Sequence, residues 1–185
     1  DEVFHSLGDG SCVALVNDGQ DLLIMHDNSL YRYTKQQQQQ HQLTPLTIDT
    51  TSNSSYPRYS TSDLVPRGDG QNFVVMAASD ETGATCDLWN LHYPSLTWTL
   101  LDKSNIEMPV PDAITMLDNC LYVIVPSSTE EKESTFNKYD MEKAEWSSVK
   151  VDGFFPLMER VRIQALDGHL LAFGDFESST LLFAF

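Results

Sequence analysis

The chain has 185 residues, enough for one domain with a sizeable core. Its 27 acidic and 11 basic residues give a net charge of −16, which excludes unaided binding to nucleic acid or to an anionic membrane, because both require a basic surface. Hydrophobic residues make up 41% and charged residues 21%, a globular balance, and no apolar run approaches the ~20 residues of a membrane span.

The cysteines bear on the cellular compartment. Cys12, Cys86 and Cys120 are odd in number and lack CxxC spacing, which argues against a disulfide scaffold and against a zinc ribbon. Three free thiols favour a reducing, cytoplasmic compartment, and one disulfide with one free thiol is the alternative. The first residues contain neither a basic nor an apolar signal segment, whereas a signal peptide removed from a longer precursor would make the chain secreted or an ectodomain.

The first predicted elements are β-strands at residues 2–7, 12–16, 22–25 and 30–33. These are short apolar or β-branched runs, as buried strands require. Asp18-Gly19 precedes the third run, and this dipeptide tolerates the positive φ of a tight hairpin. The beginning of the chain is therefore predicted to fold as an antiparallel sheet.

A low-complexity segment rich in Gln, Ser and Thr follows at residues 36–55. It contains five consecutive glutamines, a composition that favours a surface loop between two strands. Its main apolar residues, Leu43, Leu46 and Ile48, are candidates for a fourth strand. Asn53 begins an Asn-Ser-Ser sequon, a glycosylation site if the chain is secreted.

The same strand pattern then recurs three times. The predicted strands are at residues 62–65, 73–76, 88–91 and 97–100, then 113–117, 121–125, 136–139 and 145–149, and finally 162–166, 170–174 and 182–185. The turn aspartates Asp18, Asp69, Asp118 and Asp167 stand 51, 49 and 49 residues apart, and Trp98 and Trp146 stand 48 residues apart. Four antiparallel strands in ~40–50 residues are typical of one β-propeller blade.

We therefore predict an all-β fold, a β-propeller of four-stranded antiparallel blades with four repeats of about 49 residues. The predicted blades cover residues 8–56, 57–105, 106–152, and 153–185 together with 1–7. In the last of these, the N-terminal strand would complete the sheet and so remove an exposed edge. Two alternatives remain: a self-contained four-bladed ring, or four blades of a larger ring completed by the same or another chain.

These repeats resemble kelch repeats. One stretch begins at Pro57-Arg58-Tyr59-Ser60 and continues through Asp69-Gly70 to residues 74–76, and a second places Trp146 seven residues after Tyr139. The resemblance covers the whole chain at the level of blades. It departs from the kelch pattern after the second strand of each repeat, where the Gly-Gly pair is missing and only Gly174 keeps one glycine.

Acidic residues concentrate in the segments between the second and third strands of each repeat. They are Asp27, Asp80, Glu81, Glu130, Glu131, Glu133, Asp175 and Glu177. If these loops project from one face, that face is strongly negative and suits a basic partner or a cation, although ordinary solubilising charge is the simpler interpretation. Arg58, Arg160 and Arg162 precede or begin first strands. The kelch resemblance implies a position near the mouth of the central channel, where they would pair with these acids or bind an acidic ligand.

No catalytic constellation is recognisable. The sequence contains no GxSxG, P-loop or GxGxxG motif, and its five histidines show neither HxH nor HExxH spacing, so we expect no cofactor and no metal site. The predicted function is that of a non-catalytic protein–protein interaction scaffold that binds its partners through the acidic loops. The alternative is an extracellular carbohydrate-binding or galactose-oxidase-like, carbohydrate-oxidising propeller.

Overall fold

The computed structural model of the chain describes residues 12–16, 21–26, 29–35, 41–46, 57, 63–79, 81–82, 84–103, 108–125, 135–150, 159–176 and 179–184. These residues form an all-β protein with four antiparallel sheets of three or four strands. Within the described ranges, no helix is long and apolar enough to cross a membrane.

Each sheet is formed by strands that follow one another in sequence. The first contains β1 (Cys12–Val16), β2 (Asp21–His26), β3 (Ser29–Lys35) and β4 (His41–Leu46). The second contains β5 (Val65–Pro66), β6 (Asn72–Ala78), β7 (Cys86–His92) and β8 (Thr97–Lys103), with a short 3-10 turn at Tyr93–Ser95. The third contains β9 (Ala113–Leu117), β10 (Cys120–Val125), β11 (Thr135–Asp140) and β12 (Glu145–Ser148). The fourth contains β13 (Glu159–Leu166), β14 (His169–Phe176) and β15 (Ser179–Ala184).

The strand predictions are confirmed in nearly every case, with boundaries that shift by a few residues. The largest differences are at β5, which is reduced to two residues, and at β4, which forms within the low-complexity segment and includes Leu43 and Leu46. Ile48, Asn53 and the predicted N-terminal strand at residues 2–7 lie outside the described residues. The described strands do not show a closed ring, so the propeller and its kelch type remain predictions.

Two hairpin turns have the geometry that their dipeptides favour. Asp118 and Asn119 have φ of 49° and 58°, and Asp167 and Gly168 have 49° and 78°. Both pairs connect strands whose flanking residues are directly paired, as in a two-residue turn of type I′. The predicted aspartate turns are therefore confirmed in the third and fourth sheets, and residues 18–19 of the first sheet lie outside the described residues.

Successive sheets pack face to face through the two faces of their central strands. In β6, Phe73 and Val75 pack with Leu23 and Leu30 of the first sheet. The opposite face of β6 contributes to a second apolar cluster, which contains Val74, Met76, Ile114, Leu121 and Val123. A third cluster joins the third and fourth sheets and contains Ala113, Ile124, Phe136, Ile163 and Ala172. The core is therefore a series of apolar layers between neighbouring sheets.

Trp98 and Trp146 each lie in the fourth strand of a sheet and pack at two of these apolar layers. Trp98 pairs with Leu91, and Trp146 occupies the equivalent position opposite Tyr139. The Trp146 indole Nε1 donates a hydrogen bond of 2.8 Å to the Asp102 carboxylate of the second sheet. In contrast, the Trp98 Nε1 is buried and has no hydrogen-bond partner within the described ranges. The two residues are equivalent in the repeat but differ in how their polar atom is satisfied.

We expect Gly168→Val to destabilise the fold by about 1–2 kcal/mol, because a β-branched side chain at φ +78° is strained. A Cβ atom at this position meets nothing within 4 Å, so no steric clash contributes to the loss. Urea unfolding with an unchanged m value measures the change. Gly168→Asn is the control, since Asn tolerates the left-handed region, and an equal loss for both variants would contradict the strain argument.

We expect Trp146→Phe to cost more stability than Trp98→Phe, although Trp98 is the more buried residue. The first substitution removes a hydrogen bond to a charged group, worth about 1.5–3 kcal/mol, whereas the second removes a buried donor that has no partner. Thermal and urea unfolding of the two variants provide the comparison. A larger loss for Trp98→Phe would show that buried area, not this hydrogen bond, dominates the difference.

Candidate functional site

The candidate functional site is a cleft lined by the first strands of three sheets. It has a volume of about 700 Å³ and is formed by residues 63–66 at β5, 114–116 of β9 and 162–165 of β13, with Phe173 of β14. We call it the first-strand cleft. Since alternate residues of a strand point to opposite faces, each strand contributes side chains both to the cleft and to the apolar layers beside it.

Polar groups in the first-strand cleft come from all three strands. Thr115 is buried in β9, and Asp63, Arg162 and Gln164 also line the cleft. The Arg162 Nη1 donates a hydrogen bond of 3.0 Å to the Val161 carbonyl, and the Gln164 Nε2 donates one of 3.1 Å to the Ala165 carbonyl. Arg162 and Gln164 thus bond to the backbone of their own strand, and their remaining N–H groups suit recognition of a polar ligand.

The structure describes the side chains of three of the predicted binding residues. Glu81 is exposed in the turn after β6. Arg162 is exposed in β13 and lines the first-strand cleft. Asp175 lies within β14, where the sequence predicted a loop, because it pairs with Thr180 of β15 and accepts a hydrogen bond of 2.9 Å from the Thr180 hydroxyl.

The side chains of the remaining predicted binding residues lie outside the described part of the structure. Arg160 belongs to β13, but the surroundings of its side chain are outside the described part. The positions that lie wholly outside the described residues are Asp27, Arg58, Asp80, Glu130, Glu131, Glu133 and Glu177. The structure therefore brings Arg162 into a cleft and leaves the acidic loop face as a prediction.

A second polar cluster, which the sequence did not predict, stabilises the turn before β6. The Asp69 carboxylate accepts hydrogen bonds from the Gln71 and Asn72 backbone N–H groups at 2.9 and 2.7 Å, and from the Asn72 side-chain amide at 2.6 Å. Asn90 donates to Asn72 at 2.9 Å and accepts from Arg67 at 3.4 Å. Slight burial alone would raise the Asp69 pKa, but these hydrogen bonds and the Arg67 charge hold it below its usual value. The Asp69 carboxylate therefore stabilises the turn before β6.

The described residues were searched for metal ligands and reactive thiols. Among them, no group of three His, Cys, Asp or Glu side chains is placed to hold a metal ion. Cys86 and Cys120 are free, buried thiols. Burial, with a smaller contribution from the Asp87 carboxylate, raises the pKa of Cys86 to about 12, so this thiol is protonated at neutral pH.

We expect Cys86 to lower the stability of the protein at high pH. Its thiol ionises near 9.0 when exposed and near 12 when folded, so between these values the unfolded chain binds fewer protons and stability falls as pH rises. The loss is at most about 1.4 kcal/mol per pH unit. The difference in unfolding free energy between wild type and Cys86→Ala, measured at pH 7 and pH 10.5, isolates this residue. A difference independent of pH would contradict the raised pKa.

The sequence was compared with models of known protein families and with curated proteins. No family model matches the chain, and no curated protein matches it significantly.

Proposed function

We propose that the chain is a non-catalytic protein–protein interaction scaffold of the kelch-like β-propeller type, in which each antiparallel sheet is one blade. The observation that carries this proposal is the first-strand cleft. Strands β5, β9 and β13, each the first of its sheet, line one cavity together with residues 63–64 and Phe173 of β14, and the other strands of each sheet follow the first in chain order. Blades arranged around a central channel have this relationship.

The packing of the sheets supports a rigid scaffold. Among the described residues, three apolar layers join the four sheets, and the central strands of the second and third sheets contribute side chains to a layer on each of their faces. Binding residues held on such a framework lose little conformational freedom when a partner binds. The segments between second and third strands are then suited to contact partners, and their acidic residues suit a basic one.

The outer face of the fourth sheet supports an interaction with another sheet. Leu166, Phe173 and Leu182 are 55%, 41% and 68% exposed there, and Phe173 pairs with Leu182 across β14 and β15. The other sheets cover equivalent apolar faces by packing against a neighbouring sheet. In the proposed scaffold a further blade of the same type, from this or a second chain, covers this face.

Charge reversal at Glu130 and Glu131 tests whether the predicted acidic loop binds a basic partner. We expect the double variant Glu130→Lys, Glu131→Lys to bind a basic partner at least tenfold more weakly than the wild type, or not at all. The partner is one that co-purifies with the wild-type chain from its own source. The reason is that the substitution replaces attraction with like-charge repulsion at the proposed docking surface. Isothermal titration of the recovered partner at two salt concentrations gives both the affinity and its electrostatic part.

The matched control reverses the same charge elsewhere. Glu142 and Glu145 are exposed in the turn and strand that follow β11, and the double variant Glu142→Lys, Glu145→Lys should bind the partner as the wild type does. Unchanged binding of the Glu130, Glu131 variant, or equal losses for both variants, would overturn the proposed use of the acidic loops.

A further inference from the structure

A second cavity lies between the first and second sheets, away from the first-strand cleft. It has a volume of about 400 Å³, within the ~300–1,000 Å³ range of small-molecule sites. Arg32 of β3 and Leu46 of β4 form the wall of the cavity that belongs to the first sheet. Gln71, Tyr93, Pro94 and Leu96 form the side from the second sheet. We call this cavity the Arg32 pocket.

The apolar wall of the Arg32 pocket is fixed by its contacts with the core. Leu46, Tyr93 and Leu96 pack against the apolar layer between the two sheets. The Tyr93 ring meets Phe73 edge to face, with centroids 6.3 Å apart. The Tyr93 backbone N–H donates to the Gln71 carbonyl at 2.8 Å, and the Leu96 N–H donates to the Tyr93 carbonyl at 3.2 Å. The pocket is therefore formed before any ligand arrives.

Arg32 supplies a positive charge to the pocket wall. Its Nε is buried and, among the described residues, has no hydrogen-bond partner. An unsatisfied buried N–H is costly, and a guanidinium pairs best with a planar oxyanion through its fork of donors. The Asp69 carboxylate, in the turn before β6, accepts three hydrogen bonds from Gln71 and Asn72. Within the described ranges, no carboxylate forms an ion pair with Arg32.

The charge and the walls together select the class of ligand. Among the described residues that line the pocket, Arg32 is the one cationic side chain, and the protein has a net charge of −16, so a single negative charge is favoured over a phosphate of charge near −2. The aromatic ring of Tyr93 and the side chains of Leu46 and Leu96 suit a flat apolar group next to that charge. The exposed amide of Gln71 adds a donor and an acceptor at the rim.

We propose that the Arg32 pocket binds a carboxylate carried on a small aromatic or apolar group, with the guanidinium paired to the carboxylate and the apolar group against Tyr93. The same chemistry is available from a free aromatic acid and from an acidic side chain beside an aromatic residue in a partner peptide. The pocket shares no lining residue with the first-strand cleft, and its test uses none of the predicted acidic residues, so the test does not depend on the proposed scaffold function.

Phenylacetate and its neutral isostere phenylacetamide are the first pair of probes. Titrated into the full 185-residue chain and followed by the Arg32 Nε–H resonance and by calorimetry, phenylacetate should bind saturably and at least tenfold more tightly than the amide. Equal binding of both, or no saturable binding of phenylacetate, overturns the proposal. This comparison uses the wild-type protein and needs no variant to fold.

Variants then assign the effect to the guanidinium. Arg32→Gln should abolish the preference for phenylacetate over the amide, and Arg32→Lys should retain part of it, because an ammonium keeps the charge but loses the planar fork. Lys143→Gln is the matched control: Lys143 is paired with Asp140 at 3.0 Å in the third sheet, and its loss changes the net charge equally. A preference that persists in Arg32→Gln, or that disappears in Lys143→Gln, contradicts the assignment.

A second pair of probes separates the two sources of the carboxylate. Acetyl-Glu-Phe-amide and acetyl-Gln-Phe-amide differ only in the side-chain charge. Tighter binding of the acidic peptide than of phenylacetate, lost in Arg32→Gln, would assign the pocket to a partner peptide. Binding of phenylacetate alone would assign it to a free acid.

Discussion

The burial of central strands on both faces is the constraint on which the rest of the structure depends. In β6 the side chains of residues 73–78 are all buried, and successive residues contribute to different apolar layers. Removing both faces of a central strand from water stabilises the folded state by roughly 25 cal/mol per Å² of apolar surface buried. Both faces are fully buried only when a sheet packs on each side. A single sheet of this protein cannot therefore be stable alone, and the repeat follows from that requirement.

This constraint also decides where polar groups can function. Inside the layers, polar atoms are confined to a few positions, and their satisfaction varies: Trp146 reaches Asp102 of the neighbouring sheet, while Trp98 reaches no acceptor. At the margins of the layers, residues from neighbouring sheets line two cavities, the first-strand cleft and the Arg32 pocket, and each combines apolar walls with an arginine.

The turns and strands were predictable because the physics that forms them is local. Asp118-Asn119 and Asp167-Gly168 adopt positive φ, as their side chains permit, and the apolar runs that follow are strands β10 and β14. Asp175 shows where local reasoning failed. A polar residue after an apolar run indicates a loop, but pairing with Thr180 across the sheet extends β14 through that position. Cross-strand partners are not visible in a linear sequence.

The sequence by itself determined the all-β class, the four sheets and the order of their strands, because alternation, turn dipeptides and a repeat near 49 residues act over short stretches of chain. Only the tertiary structure decided which side chains share a site. Arg32 and Tyr93 belong to different repeats, and no periodicity relates them. Val65, Ile114 and Arg162 are in phase with the repeat, but the sequence alone does not show that they line one cavity. They meet because neighbouring sheets must cover one another's apolar faces, and the offset between two packed sheets is set by the fit of their side chains.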